Sequence, residues 1–186
     1  MNDADTDVLA RMADAYVAFL SCLPWDRPLV LRGAKEGLNK FLSNAYLCSF
    51  RARRKHELTQ LISITARARL NAGDRTGLVF EHVVPKRRII QEPCERLARE
   101  GKLTTQFVLG LLRRYWVLAT VTTAEDRQLA RMAMPTGWDG VDVLARYAAA
   151  GIDLVTNPFA AQGVPSYALP ESAGRPTNGI WTPPVK

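Results

Sequence analysis

Two runs of strand-forming residues, 78–84 and 115–122, stand apart in the chain with helix-patterned sequence before, between and after them. β-branched and aromatic side chains suit a pleated surface, and the helical stretches around them must cover it. This spacing predicts an α+β fold, a small mixed sheet flanked by helices. The first run constrains the chain most. It reads Leu-Val-Phe-Glu-His-Val-Val and meets Pro85, which cannot donate to a sheet ladder and so marks an end or an edge. Alternation puts Leu78, Phe80, His82 and Val84 on one face and Val79, Glu81 and Val83 on the other. Each face thus carries one ionisable group. Glu81, set among valines just ahead of Lys86, Arg87 and Arg88, is the candidate for chemistry, and a structural ion pair is the competing reading.

Helical spacing accounts for most of the remainder. Residues 5–23 place Val8, Met12, Tyr16, Phe19 and Leu20 on one stripe, with aspartates at the positive N-terminal end. Residues 34–50 do the same with Leu38, Phe41, Leu42, Ala45 and Tyr46. A third helix is expected over about 55–72, closed by Gly73. Short helices follow over 92–99, opened by Pro93, and over 105–114, capped by Thr104. Thr123 with Asp126 resembles a capping pair for a helix through about Met132. A last helix at 141–150 and a brief strand at 152–155 complete the pattern. These elements divide into an acidic N-terminal helical arm (1–30), a basic α+β domain (31–156) and an extended, proline- and glycine-rich C-terminal tail (157–186).

The formal charge of +7 is unevenly placed. Residues 51–114 carry fifteen cations against six acids, while 1–30 and 115–186 are net acidic. A basic centre between acidic flanks suits a polyanion, most often nucleic acid or nucleotide phosphate, and a solvated basic face is the bland alternative. Arg51, Arg53, Arg54 and Lys55 form one cluster and Lys86, Arg87 and Arg88 the other. Arginine forks bind phosphate oxygens in pairs, lysine adds a point charge, and such contacts are insensitive to base sequence. With Glu81 to position water or Mg²⁺, and Arg87 and Arg88 to stabilise developing negative charge, these clusters could handle a phosphodiester or a triphosphate. The metal, if one is used, is not specified by the sequence.

Several classes drop out. There is no GxxxxGK[ST], GxGxxG, GxSxG or HExxH, so P-loop, dinucleotide, serine-hydrolase and zincin readings have no support. Three widely spaced cysteines argue for reduced thiols in a cytoplasm. No run is long enough to span a bilayer, and the acidic start does not resemble a secretory leader. Glu81-His82-Val83-Val84-Pro85 has a superficial likeness to the first strand of an HNH-type metal-dependent nuclease, but 91–115 offers no histidine, asparagine or aspartate to complete a ligand set. A hydrogen-bonded core histidine is the alternative for His82. Tyr115 and Trp116 could stack on bases or pack in the core. Cys94, beside Pro93 at a helix start, has the placement of a thiol with lowered pKa, but no second cysteine is spaced for a redox pair.

Across Lys40-Phe41-Leu42-Ser43-Asn44-Ala45-Tyr46-Leu47, Arg51-Ala52-Arg53-Arg54-Lys55-His56 and the segment from Glu81 to Arg88, the chain resembles the oncogenic-suppression family. These are plasmid fertility-inhibition factors of the ParB/sulfiredoxin-like superfamily. The resemblance covers most of the chain and implies a ParB/sulfiredoxin-like fold with DNase and ATPase activity, ATP as a substrate, and DNA as a partner. It also implies blockage of DNA export through a type IV secretion system, both of T-DNA and of a competing conjugative plasmid. On that footing the protein works in the cytoplasm, or peripherally at the inner membrane through a secretion-system partner. A non-enzymatic basic adaptor that binds the coupling ATPase or the transferred nucleoprotein is the alternative. The chain has neither Gly-Cys-His-Arg nor Gly-Glu-Arg-Arg, so its candidate site residues come from the two basic clusters and Glu81.

Overall fold

The computed structural model of the chain describes residues 7–50 and 54–169. Their elements run α1 (Val8–Ser21), α2 (Pro28–Gly33), α3 (Lys35–Cys48), β1 (Leu61–Ser63), α4 (Ile64–Asn71), β2 (Leu78–His82), α5 (Glu92–Arg99), α6 (Thr105–Tyr115), β3 (Leu118–Thr122), α7 (Thr123–Asp126), α8 (Ala145–Ala149) and β4 (Leu154–Thr156). The strands form one four-stranded sheet in the order β2-β3-β1-β4. β1 and β3 are parallel, with Leu61 opposite Ala119, and the two outer strands run antiparallel to their neighbours. The expected mixed sheet flanked by helices is present. Among the described residues no helix is long and apolar enough to cross a membrane.

Alternation along β2 and β3 sorts the side chains onto two covered faces. Phe80 and Leu118 face a core built from α1, α3, α5 and α6, in which Met12, Tyr16, Leu20, Leu42, Tyr46, Leu112 and Trp116 are buried. Val79, Ala119 and Val121 face a second core containing Leu61, Val83, Val84, Leu129, Val143 and Tyr147. The acidic first helix is part of the first core. Its N-cap Asp7 accepts from the Leu9 and Ala10 amides at 3.0 and 3.2 Å and from Arg113 of α6 at 3.0 Å. Tail residues Tyr167 and Leu169 pack on the second core, and 170–186 lie outside the described residues.

The expected helix over 55–72 is instead a 3₁₀ turn at Lys55–Leu58, then β1, then α4. Buried amides fix the break. Gln60 accepts from the Leu118 amide at 2.8 Å, and Asn157 donates to the carbonyls of His56 and Thr59 at 2.7 and 2.9 Å, so this backbone pairs outward, not along a helix. Ser63 then caps α4 by accepting from the Ala66 amide at 3.0 Å. The second strand begins at Leu118 rather than at residue 115, because α6 runs on through Tyr115. The cap that follows is Thr122 with Glu125, not Thr123 with Asp126, and α7 lasts one turn instead of reaching Met132. After β2, Arg87–Gln91 winds as a π-helical turn into α5.

Candidate nucleic-acid interface

The strand that carries Glu81 and His82 sends them to opposite sides of the sheet. Glu81 meets Arg146 of α8, whose Nη2 donates to Glu81 Oε1 at 2.7 Å. The same guanidinium donates to the carbonyls of Val83 (3.2 Å), Ala130 (2.8 Å) and His82, and only 2 % of its side chain is exposed. Arg146 therefore ties the end of β2, the stretch before α8 and α8 itself together. Burial pushes the Glu81 carboxyl above its ordinary range, against the pull of Arg146. No signal in Ala-Arg-Tyr-Ala-Ala marks this arginine as buried, and the sequence reading missed it.

On the other face, His82 lies edge-on to Trp116 with ring centroids 4.7 Å apart. Its Nε2 is 3.3 Å from the Ser43 hydroxyl of α3, and its Nδ1 is buried with no hydrogen-bond partner among the described residues. Burial, reinforced by the Lys86 and Arg146 cations, pushes the ring down to about 3 and keeps it neutral. Lys86 turns back to donate to Ser43 at 2.5 Å, and its own pKa is lowered by burial, with Glu81 opposing. Trp116 is buried against Tyr46, and Tyr115 donates its hydroxyl to the Gly140 carbonyl, so both aromatics serve packing. Among the described residues no cluster of three histidine, cysteine, aspartate or glutamate side chains gathers for a metal ion.

The second basic cluster does not act as a unit. Arg87 pairs with the buried Glu95 and lies 3.5 Å from Glu92, Lys86 points at Ser43, and Arg88 is exposed with no ion pair among the described residues. Glu81 is held by Arg146 and also acts on the charge of Lys86, while the cations themselves take separate partners where the chain turns from strand into π-helix: Lys86 on Ser43, Arg87 on Glu95 and Arg88 toward solvent. The expectation of a lowered pKa at Cys94 is corrected. It is buried in the first core, and burial, with Glu95 adding to it, pushes the thiol up to about 12.

No family model, curated protein or solved structure matches this chain. What it can bind therefore has to be read from its own surface.

The first basic cluster gathers more cations than its sequence suggests. Lys55 and His56, at the 3₁₀ turn, line a recess of about 130 Å³ with Arg75, Leu78, Val79, Phe80 and Thr120. Arg54 and Arg75 both lie close enough to His56 to press its pKa down, behind burial as the main cause and against Glu57. Arg54, Lys55 and Arg75 are exposed, and none makes an ion pair among the described residues. The Asp74 carboxylate beside Arg75 is taken by Thr76 and Arg69. Arg51 and Arg53 immediately precede this group and lie outside the described residues. Arg75 brings a distant turn into the cluster, which spacing along the chain could not reveal.

Proposed function

We propose that the protein binds the phosphate backbone of DNA through the Arg54–Lys55–Arg75 rim, and that by occupying transferred DNA it hinders export through a type IV secretion system. The observation that carries the binding is the grouping of exposed Arg54, Lys55 and Arg75 about His56, none with an ion pair among the described residues, where Lys55 and Arg75 line a recess with Phe80 and Thr120. Unpaired cations release condensed counterions from a duplex on contact, which gives affinity without base preference. The cellular role rests on the family resemblance alone, and ParB/sulfiredoxin-like kinship is part of that same proposal.

A second reading keeps the DNase and ATPase activities, and one observation favours it. Glu81 is a partly exposed carboxylate held in place by Arg146 at 2.7 Å, and burial raises its pKa, the direction that favours a general base. Here Arg146 would orient the carboxylate, Glu81 would take a proton from attacking water, and any Mg²⁺ would neutralise phosphate oxygens.

Purified protein incubated with plasmid DNA, with and without Mg²⁺ and ATP, separates the two. Under the binding reading, Arg54→Glu with Arg75→Glu abolishes DNA retention and transfer inhibition, while Glu81→Gln changes neither. Loss of plasmid cleavage in Glu81→Gln, with retention intact, would support the hydrolytic reading. Full retention by the charge-reversed variant would overturn the binding one.

A further inference from the structure

Past Pro85 the structure holds a larger groove that shares no residue with the basic recess. Its volume, about 500 Å³, falls within the roughly 300–1,000 Å³ of small-molecule sites. Its lining mixes polar surface with the apolar side chains of Pro85, Ile89, Met134, Pro135, Trp138 and Met132, the last 56 % exposed. Trp138 is fixed in advance, since its Nε1 donates to the Asp142 carbonyl at 2.6 Å and its ring meets Tyr115 edge-on at 6.1 Å. Tyr115 is anchored in turn by its hydroxyl on the Gly140 carbonyl at 2.9 Å. An aromatic wall held this way loses little side-chain freedom when a flat ligand packs on it.

Charge selects the ligand further. Of two adjacent arginines, Arg87 is paired with Glu95, while Arg88 lines the groove with no ion pair among the described residues. Glu92 also lines the groove, and Arg87, which stands 3.5 Å from it, is already paired with Glu95 through both terminal nitrogens, so the Glu92 carboxylate keeps much of its charge and the anion site is confined to the Arg88 side. A guanidinium without an ion pair, on one side of a groove walled by a fixed tryptophan, matches a planar ring system carrying a carboxylate, sulfonate or phosphate. We infer that this groove binds a planar aromatic anion, its rings on Trp138 and the methionines and its charge on Arg88.

A matched pair of probes tests this on the full chain. 8-Anilinonaphthalene-1-sulfonate carries the anion, and N-phenyl-1-naphthylamine has the same rings without it. The sulfonate should bind saturably and with one-to-one stoichiometry. Arg88→Gln should weaken it by about tenfold or more, as loss of a charged hydrogen bond does, and leave the neutral probe unchanged. Met132→Asp, at an exposed position and with its fold checked by circular dichroism, should weaken both probes. Absence of saturable sulfonate binding, equal response of both probes to Arg88→Gln, or full binding by Met132→Asp would each overturn the inference.

Discussion

At the scale of single residues, the end of β2 depends on one guanidinium. Arg146 supplies donors to one carboxylate and three carbonyls, all buried or partly buried. Arg146→Met should cost about 2–4 kcal/mol, because it leaves the partly buried Glu81 carboxylate without its counter-charge and strands the carbonyls. Glu81→Gln keeps an acceptor for Nη2 but leaves the buried Arg146 cation without its counter-charge, so it should also destabilise, by less than Arg146→Met because the bonds to the three carbonyls survive. Urea unfolding midpoints compare them: equal costs would mean that the pair with Glu81 carries the whole effect and the carbonyl bonds none of it, and a small cost for both would mean that Arg146 acts through packing alone. His82 supplies a pH signature. Its folded pKa is depressed to about 3 from the ordinary 6.5. The neutral ring is therefore the one that folding favours: its contribution is complete above pH 6.5 and is lost as pH falls below that value toward 3. Between pH 7.5 and 5 this group alone should remove about 2 kcal/mol. His82→Phe should lose that component, read as a smaller difference in unfolding free energy between the two pH values. The sequence showed that Glu81 and His82 must face apart. It did not show their partners, since Arg146 and Ser43 come from elements remote in the chain.

At the scale of elements, a single carboxylate joins the two parallel strands where each passes into its helix. Glu125 accepts from the Thr122 amide at 2.8 Å, from the Thr122 hydroxyl at 2.9 Å and from Ser63 at 2.7 Å, so it links the start of α7 to the start of α4. Burial opposes its ionisation, but these hydrogen bonds prevail and hold the carboxyl below its ordinary value. A lowered folded pKa means stability present above about pH 4.5 and lost as pH falls through the folded value. Glu125→Gln should therefore be destabilised by about 1–2 kcal/mol at pH 7, with the gap from wild type closing below about pH 4.5. A gap that stayed constant with pH would remove the ionised form from this account. Helices with a long apolar stripe, α1 and α3, were legible because helical periodicity persists over several turns. β1 was not, because Leu58, Leu61, Ile62 and Thr65 fit a helical stripe as well as a three-residue strand. What breaks the helix there is tertiary: the side chains of Gln60 and Asn157 pair with backbone groups far away in the sequence.

At the scale of the whole molecule, the excess of cations in the middle third resolves into separate uses. Arg87, Arg113 and Arg69 are matched by Glu95, Asp7 and Asp74, and Lys86 is committed to Ser43. Arg54, Lys55 and Arg75 remain exposed about His56, the last two lining one recess, and Arg88 lines the other groove together with Glu92. Charge counting located the basic region, but only the fold separates paired cations from unpaired ones. The most direct test of the binding account is the salt dependence of DNA affinity for the wild type and for a variant carrying Arg54→Gln, Lys55→Gln and Arg75→Gln. Each phosphate contact removed should lower the magnitude of the slope of log K against log salt by about 0.9, so the triple variant should lose between about two and three. An unchanged slope, or a wild type that does not retain DNA at low salt, would contradict the account.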